Sequence, residues 1–144
     1  MRSCWRLGIV LPLVLPAIAL AAPGRTPVDV PTLRPGMWRL EKGEGKQAVA
    51  VSRCCNPSEE LLQQFDRLRQ AGARVAPVKR RGNTWTFEAE ITMQDARGHD
   101  VHGRTVTRMT VRGATAYSLR IDNYTGEKKT TQTLTATRTG ECPK

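Results

Sequence analysis

The chain has little of what active sites are usually built from. Among 144 residues there are only two histidines, His99 and His102, and neither is placed to act as a base beside a nucleophile. No glycine-rich phosphate loop, nucleophile elbow or dinucleotide fingerprint occurs. After residue 21 no stretch is apolar enough to cross a bilayer, which takes about 20 consecutive apolar residues. Acidic residues are also scarce, 13 against 23 Lys and Arg. These absences point away from an enzyme, and neither a cofactor nor a metal is expected.

The N-terminus sets the expected compartment. A basic "MRSCWR" precedes the apolar "LGIVLPLVLPAIAL", which closes on small residues; this is the pattern of a secretory signal peptide over residues 1–21. The small-x-small triplet Ala19-Leu20-Ala21 places cleavage before Ala22, because a cut one residue later would leave Pro23 after the scissile bond. The run is too short for a transmembrane helix and carries Pro12 and Pro16. Cys4 lies in the basic segment, before the apolar run, and not where a lipid-anchor cysteine would. The expected product is a periplasmic or secreted domain with no transmembrane span.

Removing Arg2 and Arg6 leaves 21 basic residues against 13 acidic, a net charge of +8. Such a protein is drawn to anionic partners. Sequence-specific nucleic-acid binding is not expected outside the cytoplasm, and the bases are mostly scattered. Lys79-Arg80-Arg81 and Lys128-Lys129 are the clusters, both beside turns where a solvated loop is the plain reading.

Residues 22–33, "APGRTPVDVPTL", hold three prolines and no periodicity, an extended or disordered lead-in to a single domain over 34–144. "MWRLE" and "QAVAVSRC" read as two strands around a "GEGK" turn. The period then changes. Asn56 suits a cap, Pro57 the first helical position and Glu59 a capping box. Leu61, Leu62, Phe65 and Leu68 form one apolar stripe, and Gly72 ends a helix over about 57–71. Glu59 and Glu60 are explained by that helix's first turn, where carboxylates meet the positive end of the dipole.

"ARVAPVKR" reads as an edge strand interrupted by Pro77. In "NTWTFEAEITMQD", Trp85, Phe87, Ala89, Ile91 and Met93 alternate with polar residues, giving one buried and one wet face. "GRTVTRMTVRG" puts Arg104, Arg108 and Arg112 on one face; with even-summed pairing Glu88 and Glu90 share it, as register markers more than a source of stability. "AYSLRIDNY" turns Tyr117, Leu119 and Ile121 inward and Ser118, Arg120 and Asp122 outward, and the last strand is threonine-rich, with Thr131, Thr133, Thr135 and Thr137 on the wet face. The fold expected is α+β: a twisted antiparallel sheet of six to seven strands, mostly hairpins, packed on one helix.

"DARGHDVH" is the only stretch with metal-ligand character, through Asp95, His99, Asp100 and His102. A closed zinc site needs four ligands, so a solvated hairpin turn is the reading carried forward. "NYT" at 123–125 matches a glycosylation sequon, incidental beside a bacterial-looking export signal.

Of the cysteines left after processing, Cys54 and Cys55 are adjacent, and a bond between them would strain the ordinary spacing of roughly 4.4–6.8 Å between disulfide Cα atoms. Cys142 is the other candidate within the chain; geometry leaves open which neighbour it takes. "LRPGMWRLE", a cysteine followed by "NPSEEL", alternating strands with a late glycine turn, and a closing "RTGEC" resemble the bacterial domain-of-unknown-function family 3617. That resemblance implies a small exported protein and a disulfide between Cys54 and Cys142. It leaves Cys55, at a place usually aliphatic, as a candidate free thiol, and it carries no activity. The family's two central-strand cysteines are absent.

The function expected is therefore an exported, non-enzymatic envelope protein. Its basic sheet surface or sheet–helix groove would bind an anionic or amphipathic envelope component, with Lys79, Arg80, Arg81, Arg104, Arg108 and Arg112 as candidate anion-binding residues. The alternative is a protein-interaction subunit that pairs with another envelope protein through a sheet edge or the odd thiol, its oligomeric state not read from the sequence. A hydrolase or redox enzyme ranks third.

Overall fold

The computed structural model describes residues 28–43 and 48–144. The expected signal peptide, its cleavage site and the first part of the lead-in lie outside the described residues. Eight strands and one helix follow in order: β1 (Gly36–Lys42), β2 (Val49–Cys55), α1 (Pro57–Gln70), β3 (Arg74–Val75), β4 (Lys79–Arg81), β5 (Thr84–Gln94), β6 (Asp100–Arg112), β7 (Ala116–Thr125) and β8 (Lys128–Gly140). They form one antiparallel sheet in the order β2-β1-β8-β7-β6-β5-β3, with β4 also paired to β5. The α+β architecture is as expected. The strand count rises to eight because Pro77, which has no N–H to give a ladder, splits the edge segment into β3 and β4. Both short strands pair with β5, so Lys79–Arg81 is strand and not loop.

The start of α1 is built as its sequence dictates. Asn56 is extended, with φ −112°, and its side chain accepts from the Glu59 N–H at 3.4 Å while its amide donates to the Glu59 carboxylate at 3.3 Å. Pro57 occupies the first turn, where its missing N–H costs nothing. Two details differ from expectation. Leu62 points to solvent, leaving the stripe to Leu61, Phe65 and Leu68. Glu60, expected with Glu59 in the first turn at the positive end of the dipole, is buried there.

Phe65 meets Phe87 across the helix–sheet boundary, ring centroids 5.2 Å apart. Trp38, fully buried, packs on Tyr117 at 5.4 Å, and its indole N–H donates to the Arg34 carbonyl. This core lies on the face of the sheet that α1 covers, hereafter the inner face. The helix is short for the job. Fourteen residues span about 21 Å, whereas strands of 11 to 13 residues reach roughly 36–44 Å. The sheet therefore overhangs its cover, and Met93, expected inside, is 51% exposed.

The described part of the lead-in is not a loose tail. Pro31 and Leu33 are buried, and Val28 and Val30 pack on the core. Ser58 fastens them to the helix start: its hydroxyl accepts the Leu33 N–H at 2.8 Å and donates to the Pro31 carbonyl at 2.7 Å. The folded domain begins by Val28, earlier than the boundary expected at residue 34.

The other end is pinned to the same place. β1 lies between β2 and β8, and Cys54 is bonded to Cys142 with Cα atoms 5.4 Å apart. Gly36, at φ +149°, lets the strands meet here, because a Cβ would collide with the Gly140 carbonyl and the Arg138 guanidinium. No cysteine among the described residues is free, so Cys55 is not the free thiol expected; it is buried in the core.

Candidate functional site

The overhang has a consequence on the inner face. A cavity of about 280 Å³ lies between α1 and the sheet. Leu61, Phe65 and Leu68 form its helix wall, and Phe87, Met109, Leu119 and Ile121 its sheet wall. It is about twice the size of the ~150 Å³ apolar cavity that accommodates benzene.

Strand register gives the cavity a direction. Read along the strands, the inner-face rows are Trp85–Met109–Leu119–Leu134, then Phe87–Thr107–Ile121–Gln132, then Ala89–Thr105–Asn123–Thr130. Each step exchanges apolar groups for hydrogen-bonding ones. In the polar row the Thr105 hydroxyl donates to the Asn123 side-chain oxygen at 2.9 Å, which leaves the amide nitrogen of Asn123 as the donor for something else. At the apolar end the Tyr117 phenol is pushed up, first by burial and then by the Glu60 carboxylate.

Among the described residues no helix covers the outer face, which carries charge. Glu90 is opposite Arg104 and lies 3.0 Å from Arg74, while Glu88 accepts from Arg104 at 2.6 Å. That hydrogen bond is the main cause holding the Glu88 carboxyl below the usual carboxylate range. Beside these paired groups sits an unexpected one. Asp122 points outward, as the alternation of β7 requires, yet it is only 2% exposed. It is covered by cations instead of core. Arg108 donates to it at 3.0 Å and the Thr131 hydroxyl at 2.7 Å, with Arg120 at 3.5 Å and Lys129 at 3.7 Å. Its carboxyl is held low, first by Thr131, then by Lys129, Arg120 and Arg108, against the opposing effect of burial.

The expected anion-binding residues divide. Lys79, Arg81, Arg104, Arg108 and Arg112 share the outer face by register. Arg80 turns the other way, its guanidinium 4.5 Å over the Trp85 ring and bonded to the Gly82 carbonyl. Arg104 is taken up by Glu88 and by stacking on Tyr124. Arg120 and Lys129, absent from the expected set, join Arg108. The alternation of β7 already placed Arg120 outward; nothing local in the sequence shows that residues 108, 120 and 129 meet over one aspartate.

His99 and His102 are not brought together with other ligands. Asp95 accepts the backbone N–H groups of Arg97 and His99 to shape the turn, and His102 pairs with Thr92 at 2.9 Å. Among the described residues no group of three or more His, Cys, Asp or Glu could hold a metal ion, and no helix is long and apolar enough to cross a membrane. No protein-family model, curated protein or solved structure matches the chain.

Proposed function

We propose that the protein is an exported binding protein that takes up the apolar part of an amphipathic molecule between α1 and the sheet, without catalysing a reaction on it. The observation that carries this reading is the graded cavity: apolar where α1 covers it, hydrogen-bonding at Thr107, Thr105 and Asn123. A single-chain amphiphile fits that gradient, its tail against Leu119 and Met109 and an acceptor-bearing head at Asn123. Pockets of this kind, mostly apolar with a few convergent polar groups, are the usual form of small-molecule sites.

The reading makes a quantitative demand. Each methylene buried adds about 0.8 kcal/mol, so fatty acids of rising length should bind the purified domain about four-fold more tightly per carbon until the space is filled. Ala89→Trp, which places an indole at the polar row, should abolish that binding while leaving thermal unfolding cooperative. Affinity that ignores chain length, or survives Ala89→Trp unchanged, removes the proposal.

A second reading, pairing between two copies of the chain, is favoured by one observation. Among the described strands β2 pairs with β1 alone, and it exposes Val49 and Val51 along an edge seven residues long. Such an edge is a template for a further strand. Val51→Lys should convert any dimer seen by sedimentation to monomer, and a wild-type monomer at high concentration would dismiss this reading.

A further inference from the structure

The outer face holds more cations than its one buried carboxylate hydrogen-bonds. Arg108 and Arg120 are direct cross-strand partners, and like charges so placed destabilise a sheet. A single carboxylate, Asp122, lies beneath both and beneath Lys129 as well. Asp122 is already satisfied by Thr131 and Arg108. Arg120 and Lys129 stand at 3.5 and 3.7 Å, beyond the usual 2.7–3.2 Å of an N–H···O bond. Neither donates a hydrogen bond to another side chain or carbonyl among the described residues. The three side chains remain 51%, 57% and 46% exposed. Tyr124 holds the Lys129 ammonium 5.4 Å over its ring, and hydroxyls flank the arginine pair in the same row, Thr86 beside Arg108 and Thr133 beside Arg120.

We propose that Arg108, Arg120 and Lys129 form a docking site for the phosphate head groups of an anionic lipid surface. The chemistry required is that of phosphate oxygens: forked guanidinium donors, an ammonium and neighbouring hydroxyls. The form of the site selects a surface over a free ion. Backbone N–H groups in β6 and β7 are consumed by ladders on both sides, so no amide nest encloses a single phosphate at Arg108 and Arg120. The cations instead lie open on adjacent strands, about 4.8 Å apart, with Lys79 extending the row through Thr86. Many weak phosphate contacts then add. This inference stands apart from the cavity, which lies on the opposite face.

The test is sedimentation with vesicles of phosphatidylcholine alone and of phosphatidylcholine mixed with phosphatidylglycerol. The mixed vesicles should retain the protein at low salt and release it at high salt, where the Debye length shortens; the neutral ones should not retain it. Each cation lost should weaken retention about five-fold, so R108Q/R120Q/K129Q should lose well over ten-fold, while R67Q/R69Q/R97Q, equal in charge and remote, should change it little. Asp122→Asn keeps an acceptor for Thr131 and removes a negative charge, so it should bind more tightly; a cluster serving only the fold would not gain. Ala89→Trp should bind vesicles as the wild type does, which separates this site from the cavity. The proposal is overturned if retention is absent, if the remote triple variant loses as much, if Asp122→Asn binds no better, or if inorganic phosphate at constant ionic strength displaces the protein, which would make this a free-ion site.

Discussion

The two faces of the sheet solve burial in opposite ways. On the inner face, Phe65, Phe87, Met109 and Leu119 leave water by packing on one another, and the cost of imperfect packing is a cavity. On the outer face, Asp122 leaves water under three cations and a threonine hydroxyl. The inner face stays apolar because a helix covers it; the outer face, over which no described element lies, stays charged. The comparison teaches that burial alone does not mark a core. It also assigns stability and recognition differently: substitutions inside should change unfolding most, and those outside should change pH and salt dependence.

The largest break in that comparison is Phe65→Ala. It removes the ring that meets Phe87 beside an existing cavity, and should cost about 3–5 kcal/mol in denaturant unfolding. Next comes Cys142→Ser. The bond it breaks closes 88 residues and should contribute about 2–4 kcal/mol, read as a lower thermal midpoint that reducing agent reproduces in the wild type. Smallest is the outer face at neutral pH.

Asp122 has a native pKa held below its unfolded value, so its contribution is complete above the ordinary aspartate value of about 3.9 and is lost as pH falls through the lower native one. Glu88 is shifted the same way. Asp122→Asn should therefore make the acid limb of the stability profile shallower without flattening it, when denaturant midpoints are compared through that pH range. An unchanged limb would mean that the aspartate is not held by its cations.

What the sequence disclosed follows from the range of each interaction. Local features were legible: the Asn56 cap, Pro57, and the alternation of β5 and β7 each depend on neighbours within a few residues. Pairing across a hairpin was half legible, since the parity that joins Glu88 and Glu90 to Arg104 needs only the turn. The choice of Cys54 over Cys55 came from resemblance, because adjacent positions differ by a reversal of face that no spacing rule resolves. Asp122 was placed outward correctly and its burial was missed, because Arg108, Arg120 and Lys129 come from three different strands. The cavity and the exposure of Met93 were missed for a related reason: both follow from the mismatch between helix length and strand length, which appears only when the layers are stacked. Pro31 and Leu33 gave no periodic signal, yet Ser58 ties them down from 27 and 25 residues away.

The most direct measurement of the two-faced account is a methyl NMR titration of the labelled domain with a fatty acid. The account predicts saturable shifts at Met109, Leu119 and Ile121 on the inner face, with Val106, buried on the outer face beside Asp122, left in place. Shifts centred on Val106, or none at the three inner methyl groups, would contradict it.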